Sequence, residues 1–410
     1  MSKPEADPEQ LRRYAAVVLD VGVGFRAGKE LAINAHVEHA PFARILCEEA
    51  YARGAAYVDL WYWDPHTKAS RLRHAPTDSL ARVPGWMEER CRGIGARAGA
   101  IVNLVGESEP DLLADVDPAR AGLDRMPGLT ARYEVQLSGA VEFTTIACAT
   151  DGWAEQILGR RDAAALWEVL FDLMRLDADD PVRAWQERMR ELQARSAALN
   201  RERFDALRYA GPGTDLRIGL AERHVWAPAR VTSRDGVTHV PALPTEEIFS
   251  MPDPRRAEGR IAATKPLVLG GTLVEGLRLR FAGGRIVEAT AERGGEAVIA
   301  NLDLDEGARR LGEVALVDGT SRLARSGLTF FHTLLDESAA SHLAWGATIP
   351  DSHRDYDPAT QATEGLGLNR SATHVDFMVG GPQVTVAGVR RDGSEALILA
   401  GDEWQLEERR

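Results

Sequence analysis

Helical and strand-like segments alternate through roughly the first 150 residues, and this alternation limits the possible folds strongly. Strands separated by single helices form βαβ units, in which neighbouring strands run parallel and the helices cover the sheet. We therefore predict an α/β fold whose N-terminal domain contains a mostly parallel sheet. The predicted strands are 31–37, 55–63, 100–107 and 141–150, and the clearest predicted helices are 42–54 and 85–99.

A long charged segment, residues 179–207, follows this region. Asp180 is placed as its N-cap and Pro181 stands just inside the helix start, where proline is tolerated. Large apolar residues are few along it, so we interpret it as a solvated connector helix. The predicted domains are 1–205, which includes this helix, and 206–410.

Short β-like runs dominate the second half of the chain. The dipeptides Gly270-Gly271, Gly283-Gly284 and Asp392-Gly393 separate several of them and are typical of hairpin turns. We therefore expect a β-rich α+β C-terminal domain.

Composition excludes several classes of function. The chain has 410 residues, of which 44% are hydrophobic and 27% charged, and it lacks the ~20 uninterrupted apolar residues that cross a bilayer. Its net charge of −13 disfavours nucleic acid and anionic membranes as partners. The polar N-terminus and three scattered cysteines fit a cytoplasmic protein with inert thiols. The expected ligand is a small molecule or a short peptide.

One C-terminal strand places two metal-binding side chains on the same face. In THVDFMVGG, residues His374 and Asp376 are two positions apart and therefore point the same way. Imidazole and carboxylate together suit Zn, Mn, Co or Fe. A surface hydrogen bond between the two explains the pattern equally well.

Glu313 is the only charged residue of the apolar strand LGEVALV. A buried carboxylate needs a partner or a metal ion, whereas an edge strand could turn the same residue toward water. Further along, Asp336 can cap a helix that ends at Gly346 and carries Glu337 and His342. Helical spacing leaves that pair about 140° apart, so a helix-dipole carboxylate and a partly buried histidine are an alternative.

Two adjacent acids, Glu246 and Glu247, lie between prolines in LPTEEIFSMPD. Neighbouring residues of an extended chain face opposite sides, so at most one of them joins a given site while the other acts as an orienting group or a base. A solvated loop is the alternative.

Taken in order, these segments resemble the thermophilic-type metalloaminopeptidases over nearly the whole chain. The motifs that carry the resemblance are GKELAINAHVEHAPFARILCEEAYARGAAYVD (28–59), GPGTDLRIGL (211–220), LPTEEIFSMPD (243–253), RRAEG (255–259), LGEVALVD (311–318), TLLDESAASHLAWG (333–346) and THVDFMVGGP (373–382).

The resemblance implies a pair of divalent metal ions, Zn, Co or Mn with Fe as a further option, that activate water to cleave N-terminal residues from short peptides. It also implies a homodimer. Glu246 is a candidate for orientation or proton transfer, and Glu313 is the expected bridging ligand. The six implied ligands are Glu247, Glu313, Glu337, His342, His374 and Asp376.

Two positions depart from the family pattern. The family carries a tyrosine seven residues after the ligand histidine, and this chain has Ile349 there. Tyr356 could replace it if the following loop folds inward. His332 stands where asparagine or aspartate is usual, as a substrate contact, a ligand or a hydrogen-bonded replacement. These departures leave an alternative open: a one-metal aminohydrolase, or a dioxygenase, acting on a small aromatic substrate.

Other motifs are weaker. Gly22-Val23-Gly24 lacks the third glycine of a dinucleotide-binding turn and is predicted to be an ordinary turn. His36, Glu38 and His39 cluster at a strand end, where we expect packing or a dimer contact rather than metal binding.

Overall fold

The computed structural model describes residues 6–124, 129–358, 360 and 362–406. Within them the chain divides into two compact units. The first is drawn from Met1–Gln186, Arg230–Pro244 and Pro358–Gln361, and the second from Glu187–Ala229, Thr245–Asp357 and Ala362–Arg410. The sequence-based boundary between residues 205 and 206 stays a prediction.

Helices are concentrated before residue 203. In the described ranges, no helix is both long and apolar enough to cross a membrane. The α-helices are α1 (Pro8–Val17), α2 (Ala40–Ala52), α3 (Pro65–His74), α4 (Gly85–Ala96), α5 (Pro118–Leu123), α6 (Leu129–Leu137), α7 (Asp151–Leu158), α8 (Ala163–Leu173), α9 (Pro181–Glu202), α10 (Gly295–Leu302), α11 (Arg322–Ser326) and α12 (Thr333–Asp336).

Strands dominate the rest of the chain. They are β1 (Glu30–His36), β2 (Tyr57–Trp63), β3 (Ala100–Val105), β4 (Glu142–Ala147), β5 (Ala206–Gly211), β6 (Thr214–Leu220), β7 (Ala227–Pro228), β8 (Val231–Thr232), β9 (Thr238–His239), β10 (Ala242–Leu243), β11 (Glu247–Ser250), β12 (Pro252–Ala262), β13 (Leu267–Leu269), β14 (Thr272–Val274), β15 (Arg278–Ala282), β16 (Arg285–Thr290), β17 (Leu311–Val317), β18 (His342–Gly346), β19 (His374–Met378), β20 (Thr385–Val389), β21 (Glu395–Ala400) and β22 (Glu403–Trp404).

The first unit contains the predicted parallel sheet. Its strand order is β10-β4-β3-β1-β2, and every neighbouring pair is parallel. Leu31, Ala32 and Ile33 of the inner strand β1 are all buried, as expected for a sheet covered on both faces. The α/β prediction for this region is confirmed.

The second unit is built on antiparallel sheets. One has five strands in the order β19-β18-β17-β11-β7, and the other has eight in the order β16-β15-β12-β6-β5-β20-β21-β22. The predicted β-rich character of the C-terminal half is confirmed. The antiparallel five-stranded sheet of this second unit carries most of the predicted metal ligands.

Helix α9 begins as predicted, because the Asp180 carboxylate accepts a hydrogen bond from the backbone N–H of Arg183 at 3.0 Å. Its description as a solvated connector is wrong. Trp185, Leu192 and Leu199 are almost fully buried. These positions are seven residues apart and form one apolar stripe along the helix. Because most of the residues between them are polar or charged, the sequence does not make this stripe obvious.

The predicted single helix reaching to Gly346 is also wrong. Helix α12 ends at Asp336, a 3-10 turn covers Glu337–Ala339, and His342 begins strand β18. All five residues of β18 are buried. A short apolar run buried on both faces has no alternation, so periodicity alone cannot distinguish it from a helix.

Candidate metal centre

Five side chains, three acidic and two histidine, share one face of the antiparallel sheet β19-β18-β17-β11-β7. Successive residues of a strand alternate faces, so the register decides which side chains lie together. Glu313 is opposite Ala344, which in turn is opposite Asp376. The small alanine between them leaves room for the two carboxylates to approach each other.

The same register aligns the other predicted ligands of this sheet. His342 is opposite Ala315, two residues from Glu313, and His374 is two residues from Asp376. Glu247 is opposite Val317, which also lies on this face. Four neighbouring strands therefore each place at least one predicted ligand on the same surface.

Two groups of three ligand atoms form around the carboxylate of Glu313. In the first, Nε2 of His342 lies 3.1 Å from Glu247 Oε2 and 3.9 Å from Glu313 Oε1. In the second, Nε2 of His374 lies 3.2 Å from Glu313 Oε2 and 3.3 Å from Asp376 Oδ1. Both groups are compact enough to hold a metal ion. Glu313 offers one oxygen to each group.

Backbone carbonyls orient both histidines. Nδ1 of His342 lies 3.2 Å from the carbonyl oxygen of Ala340, and Nδ1 of His374 lies 2.7 Å from that of Ala347. A neutral imidazole that donates from Nδ1 presents the Nε2 lone pair on its other side. Each Nε2 faces carboxylates, as in a metal site.

Burial and mutual repulsion disturb the charges of this cluster. Burial raises the pKa of Glu313, whose side chain is almost fully enclosed. For His342, burial opposes protonation, but its hydrogen bond with Glu247 and the surrounding negative charges outweigh that effect and raise its pKa to about 10. The surrounding carboxylates therefore favour positive charge at His342 and His374.

Two carboxylate oxygens in this cluster have their hydrogen-bonding capacity unused. Oε2 of Glu247 and Oδ1 of Asp376 are buried and accept no well-aligned hydrogen bond within the described residues, although histidine Nε2 atoms lie 3.1 and 3.3 Å from them. A buried acceptor left in this way is costly unless a cation completes it. The donor set, carboxylates and imidazoles facing one another, fits divalent ions.

Glu337 reaches the cluster from the 3-10 turn after α12. Burial raises the pKa of its carboxyl well above the usual range, and the nearby charges of Glu247 and Asp376 add to this. It is not part of either compact group of three. Asp336, the residue before this turn, is fixed by its carboxylate, which accepts hydrogen bonds from the backbone N–H groups of Phe330 at 2.8 Å and His332 at 3.1 Å.

Glu246 has a separate environment. Its side chain is fully buried and pairs with Arg188 of α9, whose Nε lies 2.5 Å from Oε2. Sequence reasoning did not identify Arg188. Its partner is 58 residues away along the chain, and a single arginine on a charged helix resembles its solvated neighbours.

Sequence and structure comparisons agree with this geometry. The family described as thermophilic metalloprotease (M29) matches residues 7–404. Aminopeptidase T of Thermus thermophilus is 38% identical, with 98% of this chain and 99% of that protein covered. Aminopeptidase PepS of Streptococcus thermophilus is 36% identical over 97% of this chain and 98% of its own length.

The wild-type AmpT structure from Thermus thermophilus superimposes with a TM-score of 0.88 at 36% identity, covering 97% of this chain and 99% of that one. This chain belongs to the thermophilic metalloprotease family M29. It is a metal-dependent aminopeptidase of that family. The relatives give no support to the alternative of an enzyme for aromatic substrates.

Within this M29 chain, the positions that depart from the family pattern lie beside the ligand segments. His332 caps α12, since its Nδ1 accepts a hydrogen bond from the N–H of Leu334 at 3.3 Å, and burial lowers its pKa to about 4. Ile349 leads into a 3-10 turn, Pro350–Ser352. Tyr356 is half-buried, and its N–H donates to the carbonyl of His353 at 3.1 Å.

The second unit also contains a large groove of about 1230 Å³. Arginines line much of it, including Arg203, Arg256 and Arg354, and none of the six predicted ligands does. The groove is therefore distinct from the metal-ligand cluster.

Proposed function

We propose that the enzyme binds two divalent ions that share Glu313. One ion would be held by Glu247, Glu313 and His342 and the other by Glu313, His374 and Asp376, with Glu337 as the sixth ligand. The observation that carries this proposal is that the two Glu313 oxygens face different groups of three. Zn, Co or Mn suits such a set of nitrogen and oxygen donors, and Fe is a further candidate.

When bound, such ions supply the positive charge that ionises water near neutral pH and polarises a scissile carbonyl. The chain's own residues prepare the site. The carbonyls that accept from His342 and His374 keep both Nε2 atoms turned toward the cluster. The ion pair of Glu246 with Arg188 supports an orienting role for Glu246 rather than proton transfer.

We further propose short peptides with a free α-amine as substrates, in a cytoplasmic homodimer. His332 is a candidate for substrate contact, since it caps the helix that leads to Glu337. Tyr356 is a candidate to replace the family tyrosine that is Ile349 in this chain. Glu313 is the residue whose loss should affect both ions.

The proposal is tested by counting metal ions per chain and measuring hydrolysis of an aminoacyl p-nitroanilide panel. Two ions per chain and turnover of substrates with a free amine, but not of acetylated ones, are expected. Glu313→Gln should lose both properties, whereas Glu288→Gln, which alters an exposed pair with Arg280, should keep them. One ion per chain with no turnover of any aminoacyl substrate would overturn the proposal.

A further inference from the structure

Helix α9 carries two arginines whose side chains are largely enclosed. The side chains of Arg188 and Arg195 are only 10% and 15% exposed. Seven residues correspond to two helical turns, so both lie on one face of the helix. An enclosed guanidinium needs an acidic partner, and each of these has one.

Arg188 pairs with Glu246, the residue immediately before the candidate ligand Glu247. Its Nε lies 2.5 Å from Glu246 Oε2, and the acid is fully buried. A second bond, 2.8 Å long, joins Arg188 Nη1 to Glu191 on the same helix. Arg188 therefore connects α9 to the start of β11.

Arg195 makes the matching contact with the next strand. Its Nη2 lies 2.7 Å from Oδ2 of Asp318, which is 4% exposed. The other oxygen of Asp318 accepts from the backbone N–H of Thr320 at 2.8 Å. Asp318 directly follows β17, the strand of Glu313, so both carboxylate oxygens of Asp318 are held at the end of that strand.

The two acids belong to the same end of one strand pair. Glu247 is opposite Val317 in the antiparallel register of β11 and β17. Extending that register by one residue brings Glu246 opposite Asp318. Like charges at opposed positions repel, and burial strengthens the repulsion. Each of these acids has one of the two arginines beside it.

We propose that Arg188 and Arg195 are positioning residues that hold the ends of β11 and β17 together and so set the spacing between Glu247 and Glu313. This inference rests on the proposed two-ion site. Metal–ligand distances tolerate only about 0.2 Å of variation, so a small separation of these two strands weakens metal binding before it unfolds the chain.

The test compares Arg188→Gln and Arg195→Gln with the control Arg390→Gln. Arg390 pairs with Glu202, the last residue of the same helix, so the control removes an α9 ion pair away from the ligands. Metal affinity is measured by competition with a chelator, and thermal unfolding is measured on the metal-free chains. Arg188→Gln and Arg195→Gln should each weaken metal affinity about 10- to 100-fold, as loss of supporting groups does elsewhere. Arg390→Gln should leave metal affinity unchanged.

A single substitution removes the arginine partner of a buried carboxylate, which can prevent folding. The double variant Arg188→Gln with Glu246→Gln removes both members of the buried ion pair, so that no buried carboxylate is left facing a missing Arg188. It should fold, with metal affinity still below that of the wild type. Wild-type affinity in the singles and the double would overturn the inference. A wild-type chain that binds no metal would instead overturn the proposed function, so the two failures are distinguishable.

Discussion

The histidines of this chain show how surroundings decide the charge of an imidazole. His342 is buried among carboxylates, and its pKa rises to about 10. His39 is buried in the first unit, where burial, assisted by the charge of His36, lowers its pKa to about 3. Its Nδ1 accepts from the N–H of His36 at 3.2 Å, and its Nε2 donates to the carbonyl of Gly106 at 3.1 Å.

His39 should make the first unit sensitive to acid. The unfolded chain takes up a proton near pH 6.5, whereas folded His39 does so only near pH 3. Its contribution to stability is therefore present above about pH 6.5 and is lost as pH falls toward 3, at up to about 1.4 kcal/mol per pH unit. His39→Gln, which keeps one donor and one acceptor, should flatten this loss in denaturant unfolding measured from pH 7 to 4.

The control for this measurement is His66→Gln, because His66 is half exposed and pairs with the exposed Glu109. It should leave the pH profile unchanged. Equal flattening by both substitutions would assign the acid sensitivity to histidine content in general rather than to burial of His39.

At the scale of single residues, the sequence alone indicated part of the candidate site without any family resemblance. The alternation of a strand paired His374 with Asp376, and burial indicated a partner for Glu313. Glu247, Glu337 and His342 depended on the resemblance, because their convergence is set by pairing among distant strands. Local spacing contains no information about that pairing.

At the scale of elements, the contact between β18 and β19 depends on Gly346. This residue is opposite His374 in the register, and its φ of +101° lies in the region that favours glycine. A Cβ there would lie 2.1 Å from the carbonyl oxygen of Thr373. A side chain at this position must therefore displace the strand that carries His374 and Asp376.

Gly346→Ala should weaken metal binding and lower stability by about 2 kcal/mol or more, the sum of backbone strain and overpacking. Gly393→Ala is the matched control, because its φ is +84° and no heavy atom lies within 4 Å of the added Cβ. Gly393→Ala should lower stability by the backbone strain alone and should leave metal affinity unchanged. Equal effects of the two on chelator competition would argue against displacement of β19.

Element prediction succeeded where one pattern extended over many residues. The strands and helices of the first unit alternate regularly, and their parallel pairing followed from that. It failed over residues 334–346, where an acidic cap and a terminal glycine favoured a helix although β18 is a buried strand. It also failed for the environment of α9, since Arg188 and Arg195 find their partners only in the folded chain.

At the scale of the whole molecule, negative charge is concentrated where metal is expected. The chain carries a net charge of −13, and four carboxylates of the second unit, Glu247, Glu313, Glu337 and Asp376, adjoin two histidines in one buried cluster. Bringing these groups together without cations costs folding free energy. Ligand-free and metal-bound chains should therefore differ in stability mainly in the second unit.

Removing metal with a chelator should lower the unfolding temperature of the wild-type chain, because ions that bind only the folded state stabilise it by mass action. The expected difference is about 2.7 kcal/mol when free metal is a hundredfold above the dissociation constant. Hydrogen exchange followed by mass spectrometry should place the loss of protection in β17, β18 and β19, with β1 and β3 unchanged. Glu313→Gln should be insensitive to the chelator. Equal loss of protection in the parallel sheet of the first unit and in the β19-β18-β17-β11-β7 sheet would show that metal removal destabilises the chain generally. It would contradict a metal site confined to the β19-β18-β17-β11-β7 sheet.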